Sequence, residues 1–157
     1  MQKILYFDID GVFINNRLEP KKALLNNQLL NRLKALGFDN FVCLSTWSTY
    51  VKHQYIPLSE KEQKEKIYRM VEASISDKEW FMPKLILEDD TEENRCKHIN
   101  FEQDWYYMDN QSEYYFAKIH GKSEYIKYLN NRILDVKTNA SGKDILTWLD
   151  NINQWQK

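Results

Sequence analysis

A chain of 157 residues fits one compact domain, large enough to bury a core without disulfides or a structural metal. Hydrophobic residues at 43% exclude a disordered chain, and a net charge of −1 gives no bulk attraction to an anionic partner. Two cysteines, Cys43 and Cys96, exclude a disulfide framework and suggest a reducing cytosol, and the opening MQKILYF, soon followed by acids, does not read as a signal peptide.

Residues 3–7 (KILYF) form a short apolar run that suits a buried parallel strand. Asp8 to Arg17 reads as a loop, and Pro20 stands where a first helical turn would begin. Leu25, Leu29, Leu33 and Leu36 lie on one helix face, which Gly37 closes as a left-handed cap. FVCL at 41–44 is a second strand, and strand–helix–strand implies a parallel sheet. Ser59 and Glu62 make a capping box before a helix through Ile67, Met70 and Val71. Trp80 to Leu87 is apolar but holds Pro83, so it reads as a loop or short strand, and Thr91 to Ile99 as a short helix. WYYMD at 105–109 is a third strand. Tyr114 to Ile119 and Tyr125 to Leu129 suggest short helices, and ILDV at 133–136 a fourth strand. Ser141 and Asp144 cap a last helix that turns Ile145, Leu146, Leu149 and Ile152 inward. No run approaches the roughly 18 apolar residues of a membrane span. Residues 1–157 therefore read as one domain, and 47–100 could hold a small helical insert.

Three of these strands end in polar clusters: Asp8-Ile9-Asp10-Gly11, Ser45-Thr46 and Asp109-Asn110. In open α/β sheets, sites form at the carboxyl ends of strands, so the clusters meet if the strands are parallel neighbours. Two acids at i and i+2 can divide the labour of a phosphoryl transfer, one as nucleophile and one as acid/base. Phosphate and carboxylate repel, and Mg²⁺, which takes oxygen ligands, would stand between them. A hydroxyl from Ser45 or Thr46 and a lysine would hold the remaining oxygens. The competing explanations are local. The acids could be turn residues, and Ser45 or Thr46 a helix cap. Asn110 could cap the next helix, and Trp47 reads as core packing, with stacking on a substrate base as the alternative. His53, His98 and His120 share no metal-like spacing.

ILYFDIDGVF resembles the first motif of haloacid dehalogenase-like hydrolases. LSTW and WYYMDN are similar to the second and fourth motifs, and the layout resembles the small members grouped with Swiss-army-knife RNA-repair proteins. The resemblance implies an α/β, three-layer Rossmann-like core with a mainly parallel sheet. The short interval between Asp10 and Ser45 leaves no room for a large cap in the first half. The resemblance also implies a Mg²⁺-dependent phosphatase in which Asp8 forms an aspartyl-phosphate and Asp10 is acid and base. Ser45 or Thr46 and a third-motif lysine bind the phosphoryl group. Lys97 is the candidate lysine, with Lys84 and Lys118 behind it. Mg²⁺ would rest on Asp8, the Asp10 carbonyl and Asn110, supported by Asp109. Asn110 departs from the usual second acid, although phosphatases of the RNA polymerase II tail also carry Asp-Asn. The expected substrate is a phosphate monoester, with a polynucleotide or other macromolecular end favoured by an open site. Lys21, Lys22, Lys137 and Lys143 are candidates for its phosphates. The alternatives are a small-molecule phosphatase for nucleotides or sugar phosphates, and a non-catalytic phosphate- or metal-binding module.

Overall fold

A computed structural model describes residues 1–15, 19–23, 27–137 and 142–155. Five parallel strands form one sheet in the order β5-β4-β1-β6-β7: β1 (Lys3–Phe7), β4 (Asn40–Cys43), β5 (Leu85–Leu87), β6 (Asp104–Asp109) and β7 (Ile133–Asp135). β2 (Ile14–Asn15) and β3 (Glu19–Ala23) pair separately as an antiparallel ribbon. The helices are α1 (Asn27–Leu36), α2 (Thr46–Lys52), α3 (Glu60–Val71), α4 (Lys78–Phe81), α5 (Thr91–Asn94), α6 (Ser112–His120), α7 (Lys122–Tyr128) and α8 (Lys143–Trp155).

Helices cover both faces of the sheet, which explains why the strands are apolar throughout rather than alternating. Leu5, Phe7, Phe41, Cys43, Tyr106 and Met108 point into one core, against Leu29 and Leu33 of α1, Ile67 and Val71 of α3, and Ile145 and Leu149 of α8. Ile4, Tyr6, Val42, Leu44, Trp105 and Tyr107 point into the other, against Phe116 of α6 and Tyr125 of α7. The chain is thus a three-layer α/β fold of Rossmann-like architecture. No helix among the described residues is long and apolar enough to cross a membrane.

Four expectations change in detail. Pro20 lies in β3 rather than at a helix start, because the chain after Asp8 folds into the ribbon before α1 begins at Asn27. A proline is tolerated there because a two-stranded ribbon is all edge. The Trp80–Leu87 segment resolves into α4, a 3₁₀ turn over Met82–Lys84 that contains Pro83, and the edge strand β5. The Thr91–Ile99 helix holds only as α5, followed by a 3₁₀ turn over Arg95–His98. Residues 47–100 carry α2 to α5 and also β5, so this segment is woven into the core rather than set apart from it. Arg17, Leu25 and Ser141 lie outside the described residues, while the Ser59–Glu62 capping box and the Gly37 cap, at φ 72°, are present.

Candidate active site

The three polar clusters meet because β4 and β6 flank β1 in parallel and in level register. Phe7 lies opposite both Cys43 and Met108. The Asp8 N–H donates to the Met108 carbonyl at 3.1 Å, and the Leu44 N–H to the Phe7 carbonyl at 2.8 Å. Past Asp8 the chain makes one helical turn, in which the Phe13 N–H donates to the Ile9 carbonyl at 2.9 Å. Gly11 sits in that turn at φ 78°, and a Cβ on it would stand 2.5 Å from Nδ2 of Asn110. Only glycine meets both the left-handed backbone and the close approach of Asn110.

The cation that balances these acids is Arg95. Its side chain is 3% exposed, and Nη1 lies 2.8 Å from Oδ2 of Asp109 and 3.4 Å from Oδ1 of Asp8. Nε donates to the Thr91 carbonyl at 3.0 Å, one helical turn back, and the guanidinium carbon lies 3.6 Å from the centre of the Tyr115 ring. Thr91 is itself tied to the second cluster, its hydroxyl donating to the Ser45 carbonyl at 2.6 Å. Hydrogen bonds therefore link Ser45, Thr91, Arg95 and Asp109, and the Arg95 ion pair extends the set to Asp8.

Asp109 is fully buried and each of its oxygens accepts a hydrogen bond. Oδ2 also accepts from the Tyr107 hydroxyl at 2.7 Å, and Oδ1 from the Gln111 N–H at 2.9 Å. It braces Arg95 from behind, in the supporting position expected of it. Burial, and then the charge of Asp109, hold the Asp8 carboxyl well above the usual carboxylate range, against the pull of Arg95. Burial opposes the charge on Arg95, but Asp109 and Asp8 outweigh it and raise the group above its ordinary value. Burial and the same carboxylate keep Tyr107 protonated and donating.

Asp10 is half-buried, and its Oδ2 accepts from Trp47 Nε1 at 2.9 Å. Trp47 packs on the core as expected, and it also holds the carboxylate that the resemblance makes acid and base. Ser45 is buried and caps α2, accepting from the Trp47 N–H at 3.2 Å. The cap uses an oxygen lone pair and leaves the hydroxyl proton to donate elsewhere. Thr46 is exposed at the rim.

Lys97 does not join the cluster. Its Nζ pairs with Asp90 at 2.8 Å, and its side chain is 47% exposed. Lys118 lies 3.8 Å from Glu93, and Lys84 sits over the Trp80 ring. The family pattern points to a lysine and so away from Arg95, two positions before Lys97. The available signal was the i, i+4 spacing from Thr91, together with the fit of a guanidinium fork to two carboxylates. Lys137 pairs with Asp135, Lys143 is exposed, and the side chains of Lys21 and Lys22 lie outside the described residues.

Asn110 does not cap α6. The cap position is Gln111, which makes no side-chain cap bond, and the Asn110 amide makes no hydrogen bond among the described residues. Among those residues, no group of three or more His, Cys, Asp or Glu is arranged to hold a metal. An Asp8 carboxylate oxygen, the Asp10 carbonyl and the unpartnered Asn110 amide are nevertheless all hard oxygen donors. That set fits Mg²⁺, which needs few protein ligands beside water and substrate phosphate. Comparison with known proteins gives no match to a family model, a curated protein or a solved structure.

Proposed function

We propose that the chain is a Mg²⁺-dependent phosphohydrolase acting on phosphate monoesters through an aspartyl-phosphate on Asp8. The observation that carries this reading is the division of environments between the two acids. Asp8 is buried beside Arg95, and Asp10 is held at the half-open rim by the indole of Trp47. A buried carboxylate held against a fixed guanidinium is oriented for attack, while one at a half-open rim can exchange a proton with a leaving group or water.

An Asp8 carboxylate oxygen attacks phosphorus in line, and the bond from phosphorus to the ester oxygen breaks. The leaving oxygen takes the proton of Asp10. Asp10 then accepts a proton from the water that attacks the phosphorus of the aspartyl-phosphate, which restores Asp8. Arg95 takes the place given to Lys97, fixing Asp8 and offsetting negative charge beneath the phosphoryl group, while the Ser45 hydroxyl donates to a phosphoryl oxygen. Mg²⁺, held by Asp8, the Asp10 carbonyl and Asn110, would supply charge neutralisation between carboxylate and phosphate. The two buried free thiols, Cys43 and Cys96, suit a reducing cytosol.

The test is hydrolysis of a chromogenic aryl phosphate with Mg²⁺. Wild type should turn it over, EDTA should stop it, and Asp8→Asn should abolish it in a folded protein. A folded Asp8→Asn variant that keeps more than a few per cent of the activity refutes the nucleophile. A wild type that binds phosphate with Mg²⁺ but never turns over would leave a non-catalytic binding module.

A further inference from the structure

We propose that the cleft beside Asp10 is the leaving-group subsite and that it takes the base of a nucleoside phosphate. The inference rests on the reading of Asp8 and Asp10 as the phosphoryl-transfer pair and names the alcohol half of the substrate. The cleft, of about 390 Å³, is lined by Thr46, Trp47, Thr49, Tyr50 and Glu92. It adjoins the acid through Trp47, whose indole lines the cleft and whose Nε1 bonds Asp10 at 2.9 Å. In this proposal the group that leaves with the proton of Asp10 reaches the cleft past the Trp47 indole.

The lining specifies the chemistry of that group. The Trp47 and Tyr50 rings meet at 88° with centroids 5.7 Å apart, so they form a corner of two aromatic planes. A planar ring can stack on one wall and meet the other edge-on, both of which are favourable aromatic geometries. Trp47 is fixed by its bond to Asp10 and by the core, while Tyr50 is 57% exposed and offers an uncovered ring. Thr46 adds an exposed hydroxyl at the rim. Among the described residues that line the cleft, Glu92 alone is charged. Its carboxylate accepts from ring N–H or amino groups and repels a further phosphate. A flat ring with N–H donors and no second phosphate is the base of a nucleoside monophosphate. A polynucleotide end would bring its next phosphate toward Glu92.

The experiment compares a nucleoside 5′-monophosphate with ribose 5-phosphate, two primary alkyl phosphates that differ only in the base. Each is followed by turnover with Mg²⁺ and by calorimetric titration of the folded Asp8→Asn protein. In wild type kcat/KM should favour the nucleotide by roughly tenfold, the scale of one base stacked on an aromatic ring. Tyr50→Ala should remove most of that advantage and Tyr50→Phe should keep it. The titration should show the same order of affinities. Tyr50 is mostly exposed, so its truncation should not unfold the chain. Equal kcat/KM for the two substrates, or an advantage that survives Tyr50→Ala, overturns the subsite while leaving the phosphatase reading intact. A polynucleotide end preferred over the mononucleotide also overturns it. No turnover of either substrate, with no binding, overturns both readings.

Discussion

Arg95 and Lys97 are two residues apart, yet one is buried between carboxylates and the other is in solvent. Removing Arg95 would leave Asp8 and Asp109 buried together without a cation. Breaking a buried ion pair this way costs about 3–5 kcal/mol. Arg95→Met should therefore lower the melting temperature sharply and abolish turnover. Lys97→Ala removes one exposed pair, worth about 0–1 kcal/mol, and should leave both unchanged. Melting curves and aryl phosphate turnover on the two variants separate the roles, and loss of activity in Lys97→Ala would return that lysine to the site. Asn110 is a second single-residue test. It caps nothing, so Asn110→Ala should cost little stability yet raise the Mg²⁺ concentration needed for half activity. Asn110→Asp adds charge to a hard-cation site and should lower that concentration. An unmoved Mg²⁺ midpoint in folded Asn110→Ala would exclude the amide as a ligand.

At the scale of elements, the turn after β1 shows where sequence was informative. The pattern Asp-x-Asp-Gly after an apolar strand was legible because spacing alone conveys it, and Gly11 reads at once as a backbone requirement. Its second role, making room for Asn110 from the end of β6, depends on a tertiary contact that no local pattern encodes. Gly11→Ala should lose about 1–2 kcal/mol from left-handed backbone strain alone, with further loss from the clash. The double variant Gly11→Ala/Asn110→Ala should recover the clash component and keep the strain, which denaturant unfolding of the two proteins would measure. Equal stability of single and double variants would show that Asn110 swings aside freely. The ribbon of β2 and β3 escaped sequence reasoning because Pro20 suits a first helical turn as well as an edge strand. β5 is hard to read because Pro83, which belongs to the preceding 3₁₀ turn, masks a three-residue strand.

Across the whole molecule, the sheet and its meeting point were legible because a parallel strand buried on both faces reads as an unbroken apolar run, and strand order then fixes which ends converge. The ion-pair network was not legible, since Arg95 reaches Asp8 and Asp109 only through the packing of α5 and its 3₁₀ turn against β6 and α6. That network has a stability consequence for the entire fold. Two buried carboxylates share one guanidinium, and burial together with Asp109 disfavours charge on Asp8. Without metal, the native state carries this penalty at neutral pH and the unfolded chain does not. Asp8→Asn removes the charge at nearly constant shape, so in EDTA it should melt above wild type. Added Mg²⁺ should act in the opposite sense. Binding only the native state, it stabilises wild type by mass action, and the variant, lacking a ligand, should gain much less. The gap between the two melting temperatures should therefore close or reverse as Mg²⁺ is titrated in. Asp8→Asn melting below wild type in EDTA would mean that the Arg95–Asp8 contact outweighs the burial penalty. Parallel Mg²⁺ responses of the two proteins would remove Asp8 from the metal site without reference to any substrate.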